Sequence, residues 1–119
     1  MSANDVTVLI PFRNESENLP ALLDSIHNLS LFPAEFIFIN DHSEDDSVSI
    51  IKAQSEGLPI RLIQTPTDST GKKAALREGA KLVGTEFTLT WDADVVVDAN
   101  YFKALQRVSE ADMYVLPAI

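Results

Sequence analysis

The chain has 119 residues, 45% of them apolar, with 9 Lys+Arg against 18 Asp+Glu, a formal net charge of −9 and no cysteine. That is the size of one domain with enough apolar residues for a packed core, and it excludes a disulfide framework or a thiolate metal site. No apolar run approaches the ~20 residues of a membrane-spanning helix, and Met1-Ser2-Ala3-Asn4-Asp5 lacks the basic start and apolar stretch of a secretory signal. The expectation is a soluble, cytoplasmic chain.

The acidity is uneven. Residues 1–50 carry nine acidic side chains and a single basic one, Arg13, whereas residues 51–119 carry nine acidic and eight basic. Without a basic stripe to displace counterions from phosphates, nucleic acid is excluded as a general partner. Most of these carboxylates need no role beyond solubility. Those at the ends of strands need an explanation.

In chain order, Val6–Phe12 (VTVLIPF) is an apolar, β-branched run that predicts a strand. Leu19, Leu22, Leu23, Ile26 and Leu29 follow at helical spacing behind a Ser16/Glu17 start, with Pro20 tolerable in the first turn. Glu35–Asn40 (EFIFIN) predicts a second strand, and Ser43 with Asp46 resembles a capping box opening a helix through Val48 and Ile51. Pro59–Gln64 (PIRLIQ) predicts a third strand and Lys72–Val83 an Ala-rich helix, in which Ala74, Ala75 and Ala80 suggest close packing on the sheet. Glu86–Trp91 (EFTLTW), a helix over Asn100–Val108 and a strand-like run at Met113–Leu116 complete the pattern. Strands separated by helices need crossovers, so the fold class is α/β, a doubly wound and mainly parallel sheet with helices on both faces. The sequence ends at Leu116-Pro117-Ala118-Ile119 with no closing helix, which reads as a cut from a longer polypeptide.

Ligands of such sheets bind beyond the carboxyl ends of the strands, at a topological switch point. There the sequence places Pro11-Phe12-Arg13-Asn14-Glu15, then Asp41-His42-Ser43, then the Thr65–Lys73 loop, then Asp92-Ala93-Asp94. Asp92 and Asp94, two residues apart as they leave a strand, can point to one side and offer hard oxygen ligands suited to Mg²⁺ or Mn²⁺. The plain alternative is that either one caps the following turn. Asp41 suits hydrogen bonds from a nucleobase or ribose, or is simply a residue preceding a helix. Gly71-Lys72-Lys73 opens a helix, where exposed N–H groups and a lysine suit phosphate; a solvated helix start is the alternative. Pro66 stands where a Walker loop needs its first glycine and Lys73 where it needs Ser or Thr, and no G-x-G-x-x-G follows the first strand. Arg13 can stack on a base or hold a carboxylate such as Glu15. His27 and His42 have no second His or Cys nearby and are not read as metal ligands, and Trp91 reads as core beneath the aspartates.

Taken together, Val6–Leu19 (VTVLIPFRNESENL), Phe36–Ser43 (FIFINDHS), Gly71–Gly79 (GKKAALREG) and Trp91-Asp92-Ala93-Asp94 resemble the nucleotide-sugar-binding half of a family 2 inverting glycosyltransferase of the GT-A fold. The resemblance runs through nearly the whole chain. It implies that Pro11, Arg13 and Glu15 line the base pocket, that Asp41 contacts the base, and that Lys72 lies near the donor. It further implies that Asp92 approaches the ribose and that Asp94 holds the metal, Mg²⁺ or Mn²⁺, bridging the diphosphate of a UDP- or GDP-sugar. Four positions depart from the family pattern and bear on base identity: Asn40 for an Asp, His42 for a Gly, Arg13 for a stacking Tyr and Arg77 for an Asn.

The family's acceptor half, with the carboxylate that serves as general base, would follow the Asp-x-Asp strand. The expectation is therefore that residues 1–119 are the donor-binding part of a glycosyltransferase domain truncated before the acceptor half, with no catalytic residue assigned. Such a fragment binds donor and metal but transfers no sugar by itself. The resemblance leaves the acceptor unnamed and allows membrane helices in the parent chain, at the cytoplasmic face. A cut sheet edge pairing with a second copy would give a homodimer. Two rival readings remain at this level. Asp92-Ala93-Asp94-Val95-Val96 fits the D-x-D-x-[TV] pattern of a haloacid dehalogenase-type phosphatase, although that motif ends the first strand of its domain; the other rival is a non-catalytic nucleotide-binding module.

Overall fold

The computed structural model describes residues 2–107. Within them the strands are β1 (Val6–Phe12), β2 (Glu35–Asn40), β3 (Ile60–Gln64) and β4 (Phe87–Thr90), and the helices are α1 (Leu19–His27), α2 (Ser47–Gln54), α3 (Lys72–Ala80) and α4 (Tyr101–Leu105). The expected strand at Met113–Leu116 and Val108, at the end of the fourth expected helix, lie outside the described residues. Among the described residues no helix is long and apolar enough to cross a membrane.

The four strands form one sheet in the order β3-β2-β1-β4, and every pairing is parallel. The doubly wound arrangement expected from the alternation is thus present. β1 is buried at all seven positions, as a strand covered on both faces must be. Its side chains alternate between two cores. Val6, Val8, Ile10 and Phe12 join Phe36 and Phe38 of β2 and Leu19, Leu22, Leu23 and Ile26 of α1 on one face. Leu9, Ile37 and Ile39 meet Ala75 of α3 on the other. α1, α2 and α4 cover the first face and α3 the second, because the chain steps from β1 through β2 to β3 and then crosses back over β1 to reach β4.

Several boundaries shift for local reasons. α1 begins at Leu19 rather than at Ser16/Glu17, since the Leu19 and Asn18 N–H groups close a turn on the Glu15 carbonyl. The expected Ser43/Asp46 capping box is absent. α2 starts at Ser47 with Asp46 as N-cap and no side-chain cap bond, because the Ser43 hydroxyl accepts the Asn14 N–H at 2.9 Å and Asp45 accepts the Ser47 N–H at 3.0 Å. α3 stops at Ala80; Leu82 and Val83 donate to Gly79 and Ala80 in tight turns instead. Pro11 sits in a central strand without breaking a ladder. Leu9 faces β4, its carbonyl taking the Trp91 N–H at 3.0 Å, so by alternation Pro11 faces the same side, beyond the end of β4, where a missing N–H costs no ladder bond.

The close approach of α3 to the sheet is made by Ala75, fully buried, and by Gly79, rather than by Ala80, which is exposed. Residues 75 and 79 share a face at helical spacing and residue 80 is turned away. A Cβ on Gly79 would lie 3.0 Å from Ile39 Cδ1 and 3.1 Å from Leu9 Cδ2. Gly79→Leu is therefore expected to lower stability by about 1–3 kcal/mol through overpacking, read as a lower urea midpoint with an unchanged slope.

Candidate functional site

β1, β2 and β3 end in register, Phe12 beside Asn40 and Asn40 beside Gln64. β4 pairs with the opposite side of β1 and its last residue, Thr90, lies beside Leu9. The chain leaves β1 toward β2 on one side while β4 arrives on the other, so the crevice between them is the switch point of the sheet. A cavity of about 310 Å³ opens there, lined by Pro11, Phe12, Arg13, Glu15, Asp41, Lys72, Asp92, Ala93 and Asp94. All seven residues singled out from the sequence line this one cavity; Phe12 and Ala93 are the additions. Both are buried neighbours of a singled-out residue, and apolar character at a strand end carried no signal of its own.

Asp92 and Asp94 are exposed, with Ala93 buried between them. The alternation places both carboxylates on the solvent side and anchors the segment through Ala93 and Trp91. Trp91 is core, as expected, packed 5.5 Å from Phe36, 5.3 Å from Tyr101 and 5.9 Å from Phe102 between ring centroids. Lys72 Nζ donates to Asp92 Oδ1 at 2.8 Å, and both side chains are 63% exposed. Among the described residues, no hydrogen bond or ion pair engages the Asp94 carboxylate or the Glu15 carboxylate. Nor do the described residues contain a cluster of three or more His, Cys, Asp or Glu arranged as a self-sufficient metal site.

Asp41 is only 5% exposed. Its Oδ2 accepts the Gly71 N–H at 2.9 Å, and its Oδ1 accepts the Thr65 and Thr70 hydroxyls at 3.3 Å each. These bonds use three of the roughly four acceptor positions of a carboxylate. They tie the end of β2 to the start of α3, where Gly71 has φ 100°, a value that glycine alone adopts without strain. His42, at φ 59°, directs its Nε2–H to the Ser69 carbonyl at 2.6 Å, which sets the ring tautomer and fastens the same loop from its other side. Arg13 does not pair with Glu15; its Nη1 donates to Thr70 Oγ1 at 3.4 Å, and the guanidinium remains exposed. His27 is away from the cavity, its Nε2 bonded to the Gln54 carbonyl at 2.8 Å.

A second set of bonds, invisible in the sequence, locks the β1–α1 loop to the β2–α2 loop. Asn14, at φ 53°, takes the Glu44 N–H on its Oδ1 at 2.7 Å. The Glu15 N–H donates to Ser47 Oγ at 2.9 Å and the Ser16 N–H to Asp45 Oδ2 at 3.1 Å. Asn14 was the one legible signal here, since asparagine tolerates positive φ. The bonds to Asp45, from Ser47 first and then Ser16, hold its carboxyl at about 2, below the ordinary 3.8.

The family model described as glycosyl transferase family 2 matches residues 7–119. A poly-beta-1,6-N-acetyl-D-glucosamine synthase of Staphylococcus epidermidis is 32% identical over 93 residues, 78% of this chain and 22% of that protein. Among solved structures, the mannosyltransferase PcManGT from Pyrobaculum calidifontis, in complex with GDP-Man and Mn²⁺, superposes with a TM-score of 0.76 at 24% identity, over 87% of this chain and 31% of that one. S. aureus TarS 1–349, in complex with UDP-GlcNAc, superposes with a TM-score of 0.73 at 24% identity, over 90% and 30%. The chain thus spans about a fifth of the length of its S. epidermidis relative. The phosphatase reading is set aside: its aspartate motif belongs after a first strand, whereas here it follows β4, the fourth strand of the chain.

The lowered Asp45 carboxyl gives the fold stability that is fully present above about pH 3.8, where the group is ionised in folded and unfolded chain alike, and that is lost as pH falls to about 2. Wild type is therefore expected to exceed Asp45→Asn in stability near neutral pH. That margin should shrink as pH falls from about 3.8 and disappear below about 2, which urea midpoints at stepped pH measure.

Proposed function

The chain belongs to glycosyl transferase family 2, and on that footing we propose that residues 1–119 are the donor-binding part of a glycosyltransferase domain. The cavity takes the nucleoside diphosphate of a UDP- or GDP-sugar together with a divalent cation. The observation that carries this reading is the convergence of Pro11, Arg13, Glu15, Asp41, Lys72, Asp92 and Asp94 on one cavity at the switch point.

The donor set fits a divalent ion. Asp94 offers a solvent-facing carboxylate with no partner among the described residues, and Asp92 offers a second two residues away. Mg²⁺ and Mn²⁺ accept one or two protein carboxylates and complete their shell with phosphate oxygens and water. Charge requires the same. Four carboxylates and two cationic side chains line the cavity, so a diphosphate entering alone meets net negative charge. When bound, the cation neutralises that charge and the charge that grows on the diphosphate as it leaves.

The chain's own residues do the holding. Pro11 and Phe12, buried at the end of β1, form an apolar floor, and the exposed Arg13 guanidinium is placed to stack on a base or to meet its polar edge. Asp41 keeps the Gly71–Lys72 corner in place and retains about one acceptor position for the nucleoside. Asp92 reaches toward the ribose, Asp94 holds the cation, and Lys72 brings an ammonium to the diphosphate. In the transfer itself, the bond from the sugar's anomeric carbon to the diphosphate oxygen breaks. A bond from that carbon to an acceptor hydroxyl oxygen forms, and the hydroxyl proton passes to a base. None of the cavity residues is assigned as that base, so the fragment by itself is expected to bind without transferring.

Calorimetry with UDP and GDP, each with and without Mn²⁺, tests the reading. Binding is expected to depend on Mn²⁺, and Asp94→Ala is expected to remove that dependence. Binding of equal strength without the metal, or metal dependence that survives in Asp94→Ala, would overturn it.

A further inference from the structure

The donor reading leaves unexplained what Lys72 does before a ligand arrives. Its ammonium lies 2.8 Å from Asp92 Oδ1, on the carboxylate next to the one assigned to the cation. We propose that Lys72 is an exchangeable internal counterion, holding Asp92 in the free chain and passing to the diphosphate when metal and nucleotide enter together. This rests on the donor-binding assignment above and adds a coupling between its two ligands.

Three features support the exchange. The pair is 63% exposed on both sides, and ion pairs of that exposure are weak, so the ammonium leaves readily. The backbone under it does not move with it, because the Gly71 N–H is fixed to Asp41 at 2.9 Å and α3 begins at the next residue. Only the flexible four-carbon stem of Lys72 needs to swing. Finally, the other cation of the cavity, Arg13, is directed to Thr70 Oγ1, so Lys72 is the side chain that offsets charge beside Asp94.

A bare divalent ion therefore enters a field already partly neutralised, and it must compete with the ammonium. An ion arriving with a diphosphate does not, since the phosphate oxygens receive the displaced ammonium. Each ligand then strengthens the binding of the other, by the reciprocity of linked equilibria.

The test uses the whole chain and Mn²⁺ alone, with free Mn²⁺ followed by its electron paramagnetic resonance signal. Lys72→Met is expected to bind Mn²⁺ roughly two- to fivefold more tightly than wild type, while binding UDP more weakly in the presence of Mn²⁺. Lys72→Arg, which keeps the charge, is expected to match wild type for Mn²⁺ alone. Equal or weaker Mn²⁺ binding by Lys72→Met, with wild-type binding still lost in Asp94→Ala, overturns the counterion role and leaves the donor site standing. UDP binding that Mn²⁺ does not strengthen in wild type, or Mn²⁺ binding unchanged in Asp94→Ala, overturns both.

Discussion

The parallel pairing of β4 with the free side of β1, with Thr90 beside Leu9, is the constraint on which the site depends. β1 is the strand that both halves of the winding share. Because β2 and β3 lie on one side of it and β4 on the other, the strand order reverses at β1, and the cavity opens at that reversal. β4 also ends early relative to β1, so Asp92, Ala93 and Asp94 run past the last rung of the ladder beside Pro11 and Phe12. A one-residue slip would turn Asp92 and Asp94 inward and Ala93 outward. Trp91, wedged among Phe36, Tyr101 and Phe102, resists that slip with a large buried aromatic surface.

The second requirement is rigidity in loops that carry charge. Asp41 fastens the β3–α3 loop at three points, and His42 fastens it at a fourth. Asn14, Ser43, Asp45 and Ser47 do the same between the loops after β1 and β2. Charged and polar side chains that would otherwise cost conformational entropy on binding are thus ordered beforehand. Among the described residues the Asp94 and Glu15 carboxylates stay outside these networks, and Lys72 is held only by its exposed pair with Asp92.

His42 shows how a departure from a family pattern is accommodated. The sequence resemblance places a glycine there, and the backbone has the positive φ that glycine favours. A histidine in that conformation is strained; its hydrogen bond to the Ser69 carbonyl offsets part of the cost and adds a fastening that glycine could not supply. Arg13 is the converse case. It does not pair with Glu15; its Nη1 donates to Thr70 Oγ1, and the side chain stays exposed along the cavity lining.

Much of the fold was legible from the residues alone. Apolar runs buried on both faces, separated by segments of helical spacing, admit little except a parallel sheet with helices on each side, and the strand ends then name the polar residues that gather at one edge. What local pattern could not convey was which partner each polar group takes. A capping box at Ser43 and Asp46 is sound local chemistry, yet the Ser43 hydroxyl meets the Asn14 N–H, 29 residues distant in the chain. The three alanines of α3 look equivalent in sequence, but the closest contact falls on Gly79 because only the docked angle of the helix selects the face. The order of the strands, the occupation of Asp41 and the pairing of Lys72 with Asp92 belong to the same class. Composition and periodicity decide what is buried and in which element, because burial of apolar surface is non-directional. Hydrogen bonds and ion pairs are directional and short-ranged, so their partners are decided only once the chain has brought distant segments together.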